Sequence, residues 1–403
     1  MAQEDLDKKN LKVMERLLGS RVNRLDSSTR EVLARLNDPT QRREALLSIA
    51  DQEAFYKITV KNFASRMSVR SEEVSAPLND FSATIIGVAR DNRDARELLT
   101  GDYIYMADTS RIPVRTPGEE AISIPSDFFR NIVLNNSHYQ AIENNLYQLN
   151  LKDILIPVPQ RVQSDNSIQT GNLVNNPDPA GLLTSNTWGR EHLIMGTNRR
   201  AVEYALKSFL CTPMEEAADT QASDARIGRD IDRFPGGDHS RFLTSCKGCH
   251  TVMDGFRGAF AQWNYNGFLI HGSLHRNRRE MDANGIAVKM NRNAEEFPSG
   301  YVTQDSSWVN NATRGKNVSH FSWSNTVPNS GTGAGSFGRL LANSDRFAQC
   351  MARRAFVEVC QRSQSVFKDV NTPVVLELAK TFKSSGYKLK ELFIAAATHQ
   401  KCE

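Results

Sequence analysis

Apolar residues recur at helical spacing toward both ends of the chain and lose that period through much of the middle. Phe81, Ile85, Val88 and Ala89 fall on one helical face. Segments around 4–20, 51–66 and 125–149 are spaced similarly, and Ser28 and Glu31 have capping-box spacing ahead of Val32, Leu33 and Leu36. The pattern predicts a helical module over residues 1–150. Residues 151–190 break it. Pro157, Pro159, Pro177 and Pro179 punctuate a stretch rich in Asn and Ser, which predicts a linker or long loop.

Helical period returns at 198–210, where Val202, Ala205, Leu206 and Phe209 form one stripe ahead of Cys211. Residues 212–238 are irregular and polar. From 264 to 340 the chain is rich in Asn, Gly and Ser, with Val302, Trp308, Phe321 and Trp323 as candidates for short strands. The glycine-rich GTGAGSFG at 331–338 resembles a phosphate loop only superficially. No strand is predicted before it and no acidic residue sits at the expected place downstream, so it reads as a flexible loop entering a helix. Residues 345–361 predict a helix. Thr372 suits an N-cap and Pro373 the first turn of a further helix through Val375, Leu378, Ala379 and Phe382, which Gly386 can end. Leu389, Leu392, Phe393 and Ala396 predict one more helix. The expected fold class is mainly α, without an internal repeat.

The 403 residues suffice for two or three domains and a sizeable core. With 50 basic and 46 acidic residues the net charge is +4, which gives no reason to expect a nucleic-acid partner. No apolar run approaches the ~20 residues of a transmembrane helix. The opening MAQEDLDKKN lacks the apolar core of an export signal.

The segment that carries chemistry is CKGCH, Cys246 to His250. Two thiols three positions apart can add across the two vinyl groups of one porphyrin, and the adjacent histidine is then held at the iron as its proximal ligand. With six cysteines and eight histidines, chance placement yields this motif about 0.002 times in a chain of this length. A zinc site would need two more ligands at compact spacing, and no second CxxC pair exists. A thioredoxin-like dithiol would need a strand–turn–helix setting in an α/β pattern, which is absent. The expected cofactor is one covalent haem c on Cys246, Cys249 and His250. Bacterial thioethers of this kind form outside the cytoplasm, so the expectation is an exported protein whose signal has been removed.

Several segments, in order, resemble a family of secreted cytochrome c-like proteins of planctomycetes and myxobacteria, built from tandem modules of unknown function. RELLTGDYIYMAD at 96–108 resembles the end of its helical module. AGLLT at 180–184 and NRRAVEYALKSFLCTPM at 198–214 resemble the stretch before the haem. HSRFLTSCKGCHTVMD at 239–254 is similar to the haem segment, including a histidine seven residues before the first cysteine. MDANG at 281–285, FGRLLANSDRFAQCMARRAF at 337–356 and SSGYKLKELFIAAATHQ at 384–400 follow. The likeness covers most of residues 95–403. Two departures stand out: the family's Asp-Pro pair after the haem histidine is Asp254-Gly255 here, and residues 286–335 look like an insertion. The resemblance implies an extracytoplasmic haem protein, periplasmic or secreted, with a mostly helical cytochrome c-like module over 191–403. It brings no reaction with it.

The sixth iron ligand is left open among His239, His271, His275, His320, Met281 and Met290. Met253, three residues past His250 on the same helix, stays on the proximal side. The resemblance favours His239, which lies upstream where a short turn could bring it over the far face. The four cysteines outside the motif predict two disulfides. Cys350 and Cys360 share one predicted helix, roughly 15 Å apart along its axis, too far for a bridge. Two pairings remain, and the resemblance, placing Cys211 and Cys350 in one module, favours Cys211–Cys350 with Cys360–Cys402. The function expected first is electron transfer with a redox protein partner. The alternatives are a haem enzyme acting on peroxide or another small oxidant, and a secreted binding or scaffold protein with a structural haem.

Overall fold

The computed structural model describes residues 2–108, 137–145, 149–163, 173–274, 279–293, 295–321, 323, 327–362 and 369–402. The fold is mainly α, with short two-stranded sheets. Twelve α-helices of eight residues or more stand among the described residues: α1 (Ala2–Leu18), α2 (Ser27–Asn37), α3 (Arg42–Ile49), α4 (Lys61–Ser68), α5 (Asp80–Arg90), α6 (Ser137–Asn144), α7 (Arg199–Leu210), α8 (Lys247–Arg257), α9 (Gly333–Ala342), α10 (Asp345–Val359), α11 (Pro373–Ser384) and α12 (Leu389–Thr398). The expected helices at 4–20, 198–210, 345–361, 373–385 and 389–396 are all present within a few residues. Of the segment expected at 125–149, residues 125–136 and 146–148 lie outside the described residues.

Helix α5 shows how sequence becomes packing. Asn79 and Ser82 cap it reciprocally, Asn79 accepting from the Ser82 amide at 2.9 Å and donating its own amide to the Ser82 hydroxyl at 3.0 Å. Its residues from Asp80 to Ala89 are buried on every side. The capping box expected at Ser28 is not formed. Asp26 is the N-cap of α2, and Ser28 lies inside the first turn.

One hydrophobic cluster runs from Val13 to Cys402, so the expected modules share a core. Helix α12 packs against α1, α3 and α5 from the N-terminal part of the chain and against α10 and α11 from the C-terminal part. Disulfides fasten this arrangement. Cys211–Cys350 joins the end of α7 to the middle of α10, and Cys360–Cys402 joins the end of α10 to the segment after α12. This is the pairing that the resemblance favoured.

Residues 151–190, expected as a linker or long loop, carry short elements docked on the core. Strand β1 (Tyr103–Ala107) pairs antiparallel with β2 (Leu155–Pro159), Tyr103 opposite Pro159 and Ala107 opposite Leu155. β3 (Arg161–Gln163) pairs with β4 (Leu173–Asn175). The buried Asp80 carboxylate then accepts from the Asn186 and Thr187 amides. Prolines tolerated at a ladder's edge concealed the strand from periodicity alone. Further along, β5 (Trp263–Tyr265) pairs with β6 (Leu269–His271), and β7 (Ser307–Val309) with β8 (Ser330–Thr332). Trp308 is thus in a strand, whereas Val302, Phe321 and Trp323 are not.

Strand β8 takes in the first two residues of the glycine-rich segment, where no strand was expected, and leads directly into α9. The Asp178 carboxylate occupies the helix N-terminus, accepting from the Ala334 and Gly335 amides at 2.6 and 2.9 Å. A negative charge suits that end of a helix. Gly333 has φ +75°, and a Cβ there would lie 2.6 Å from a carboxylate oxygen of Asp178. The glycine therefore makes room for a side chain of this protein, in the position that a bound anion takes in a phosphate loop.

Replacing Gly333 with alanine should cost about 2 kcal/mol or more of stability, from left-handed backbone strain and displacement of the carboxylate. Asp178→Asn should cost about 1 kcal/mol through the lost helix-end charge. Urea unfolding midpoints measure both, and two unchanged midpoints would exclude this account of the turn.

Candidate functional site

The CKGCH motif lies on a continuous helical segment. Asp238 caps it by accepting from the Ser240 amide at 2.8 Å. A short α-helical turn, His239–Arg241, passes into a π-helical turn, Phe242–Cys246, and then into α8. Cys246, Cys249, His250 and Met253 recur at helical spacing and are all half-buried, while Gly248, Thr251, Val252, Gly255 and Phe256 are buried. The motif side chains thus share a partly open helix face, and the opposite faces anchor the helix. Gly255 belongs to that anchoring side, since a Cβ there would lie 2.6 Å from the Val309 carbonyl oxygen of β7. Its smallness, where the resembled family has proline, allows the strand to approach.

The two motif thiols are free, although the other four cysteines are paired. The Cys249 sulfur lies 3.7 Å from the Met214 carbonyl oxygen. Burial, followed by the charges of Glu215 and Glu203, pushes the Cys249 thiol up. Among the described residues, no three His, Cys, Asp or Glu side chains converge as a bare metal ion would require. The arrangement does suit a porphyrin: two unpaired thiols and an imidazole on one accessible helix face.

Behind His250 lies an ionic network. Asp254, one helical turn on, is buried and places a carboxylate oxygen 3.7 Å from His250 Nδ1. Arg199, the first residue of α7, bonds Asp254 through Nε and, at 2.8 Å, through Nη2. It also grips Asp230 with Nη1 and Nη2. The Gly228 amide donates to Asp254 at 2.9 Å, and Arg257 Nη1 approaches Asp230 at 3.7 Å. Burial alone would raise the Asp254 carboxyl, but the Arg199 and Arg257 guanidiniums outweigh it and hold the group well below the usual carboxylate range. With Nδ1 turned inward toward this carboxylate, Nε2 is the His250 nitrogen available to a metal.

The distal candidates are dispersed. His239 is exposed and begins the same helical run as His250, eleven positions earlier and about 16 Å back along the axis. No turn separates it from the motif, because the intervening residues are helical. Its Nδ1 instead meets the Arg233 carbonyl at 2.8 Å, and its ring lies against Phe234 and Phe242. Met281 and Met290 are buried in a separate small cluster with Phe268, Ile270 and Ile286. His271 is buried beside Trp263, with Nδ1 2.7 Å from the Ser273 hydroxyl. His320 ends a short helix, Asn317–His320, and places Nε2 3.6 Å from a Glu216 carboxylate oxygen. The Met214–Ala217 turn therefore touches both His320 and Cys249. His275 lies outside the described residues.

No known protein family, curated protein or solved structure matches this chain.

Burial holds the His271 imidazole down to about 4, against the opposing pull of Asp178. A histidine neutral in the fold and protonated when unfolded stabilises fully above its unfolded value of 6.5. That contribution falls as pH drops toward about 4, by on the order of 1.4 kcal/mol per pH unit. Urea midpoints of the wild type should therefore fall more steeply across this window than those of His271→Gln. Parallel profiles would contradict the burial argument.

Proposed function

We propose that this chain is an extracytoplasmic c-type cytochrome, similar to the secreted family its sequence resembles, carrying one haem on Cys246 and Cys249 and transferring electrons. One observation carries the reading. The only two unpaired cysteines stand with His250 on a half-open face of one helix, while every other cysteine is consumed in a disulfide.

Cys246 and Cys249 would hold the porphyrin through thioethers, each thiol adding its S–H across one vinyl group, and neither could then act as a nucleophile. His250 presents Nε2 from the same face. The bound group supplies iron that exchanges one electron between ferric and ferrous states. The motif face is partly exposed, so a redox protein partner could approach a group held there. The two disulfides fit an oxidising compartment, periplasmic or secreted. Among the described residues no helix is long and apolar enough to cross a membrane.

Expressed with a haem-attachment system and exported, the protein should exceed its polypeptide mass by one haem under denaturing conditions. Cys246→Ser with Cys249→Ser should abolish the increment. Extraction of the haem into acidified organic solvent would refute covalent attachment. Carbon monoxide should bind the reduced protein slowly or not at all if it is an electron carrier with two strong iron ligands. Rapid binding would overturn that assignment in favour of an open, reactive site.

A further inference from the structure

Asp254 is more than an anchor for Arg199. An ionised carboxylate has about four lone-pair positions. Three are engaged: Oδ1 accepts from Arg199 Nε, and Oδ2 accepts from Arg199 Nη2 and from the Gly228 amide. The remaining position on Oδ1 belongs to the oxygen that lies 3.7 Å from His250 Nδ1. That nitrogen is buried and has no partner at hydrogen-bond distance among the described residues; the carboxylate facing it is Asp254, and His250 donates to it once this 3.7 Å gap closes. The i, i+4 spacing on α8 holds the pair together, and the Arg199 fork fixes the carboxylate from the other side.

We propose that Asp254 is the positioning residue of His250: it keeps the ring proton on Nδ1, leaves Nε2 free for iron, and strengthens His250 as an electron donor so that the haem is biased toward the ferric state. The inference rests on the haem reading above. Its physical basis is general. A metal-bound histidine whose other ring nitrogen donates to a carboxylate becomes more basic, and a more basic axial ligand favours the higher oxidation state. Neighbouring arginines oppose transfer of the ring proton to Asp254, so the carboxylate acts as acceptor only.

The test compares Asp254→Asn with Asp230→Asn. Both remove one negative charge from the same Arg199 network, but only Asp254 faces His250. Haem attachment is first verified in every sample from the spectrum of the denatured protein. Its absence from the wild type defeats the haem reading and the inference with it. With haem present, the reduction potential of Asp254→Asn should rise clearly above wild type, and that of Asp230→Asn should rise less. Equal shifts, or none, overturn the assignment while leaving the haem reading intact. Should Asp254→Asn fail to fold, the wild type alone decides. Nuclear magnetic resonance of the reduced protein with isotope-labelled histidine should show a downfield His250 Nδ1 proton protected from exchange. A rapidly exchanging ring proton overturns the proposal.

Discussion

The ionic contact between Arg199 and Asp254 governs the arrangement of the candidate site. Arg199 opens α7 and Asp254 lies on α8, so one fork of hydrogen bonds locks the two helices in register. The contact is buried, where an unpaired charge would cost several kcal/mol. Asp230 and the Gly228 amide complete the partners and draw the irregular segment before the motif onto the same point. Removing Arg199 would leave Asp254 with only the Gly228 amide and the charge of Arg257, whereas Arg199 would keep Asp230 if Asp254 were lost.

The remaining faces of α8 are held by close packing. Gly248 and Gly255 admit neighbouring segments, Phe256 packs against Trp308 and Phe337, and short strands β7 and β8 close over that side. A small apolar cluster around Met281 and Met290 supports the following loop. The motif side chains are therefore carried on an element fixed from several directions, with one strip left partly open. Preorganisation of that kind suits a group whose electron exchange benefits from little rearrangement.

Local periodicity made much of the fold legible. Helices α5, α7, α11 and α12 follow directly from apolar residues at i, i+3 and i+4, and cysteine geometry excluded one of three pairings. Motif spacing singled out Cys246, Cys249 and His250, and the structure places them on one helix face. What escaped was long-range or conformational. Arg199 meets Asp254 across 55 positions, a partnership no local window contains, although Asp254 alone could have been noticed from its helical spacing to His250. His239 was assigned a turn because nothing local announced the π-helical continuation into α8. Proline-rich residues 151–190 concealed β2, whose stability comes from β1, about fifty positions earlier. The glycine-rich segment correctly suggested a helix entrance, but its occupant, Asp178, is remote in sequence.

The shared core also sets an order of events during synthesis. Helices α1, α3 and α5 present apolar surface that α12 covers, and α12 is made some three hundred residues later. Until then those early helices lack one of their partners, and a chain emerging from its N-terminus cannot finish that part of the core by itself. Cys360 likewise waits for Cys402. The CKGCH segment, by contrast, is already synthesised while the bundle is still open, so whatever must reach its thiols has an interval of access before the structure closes.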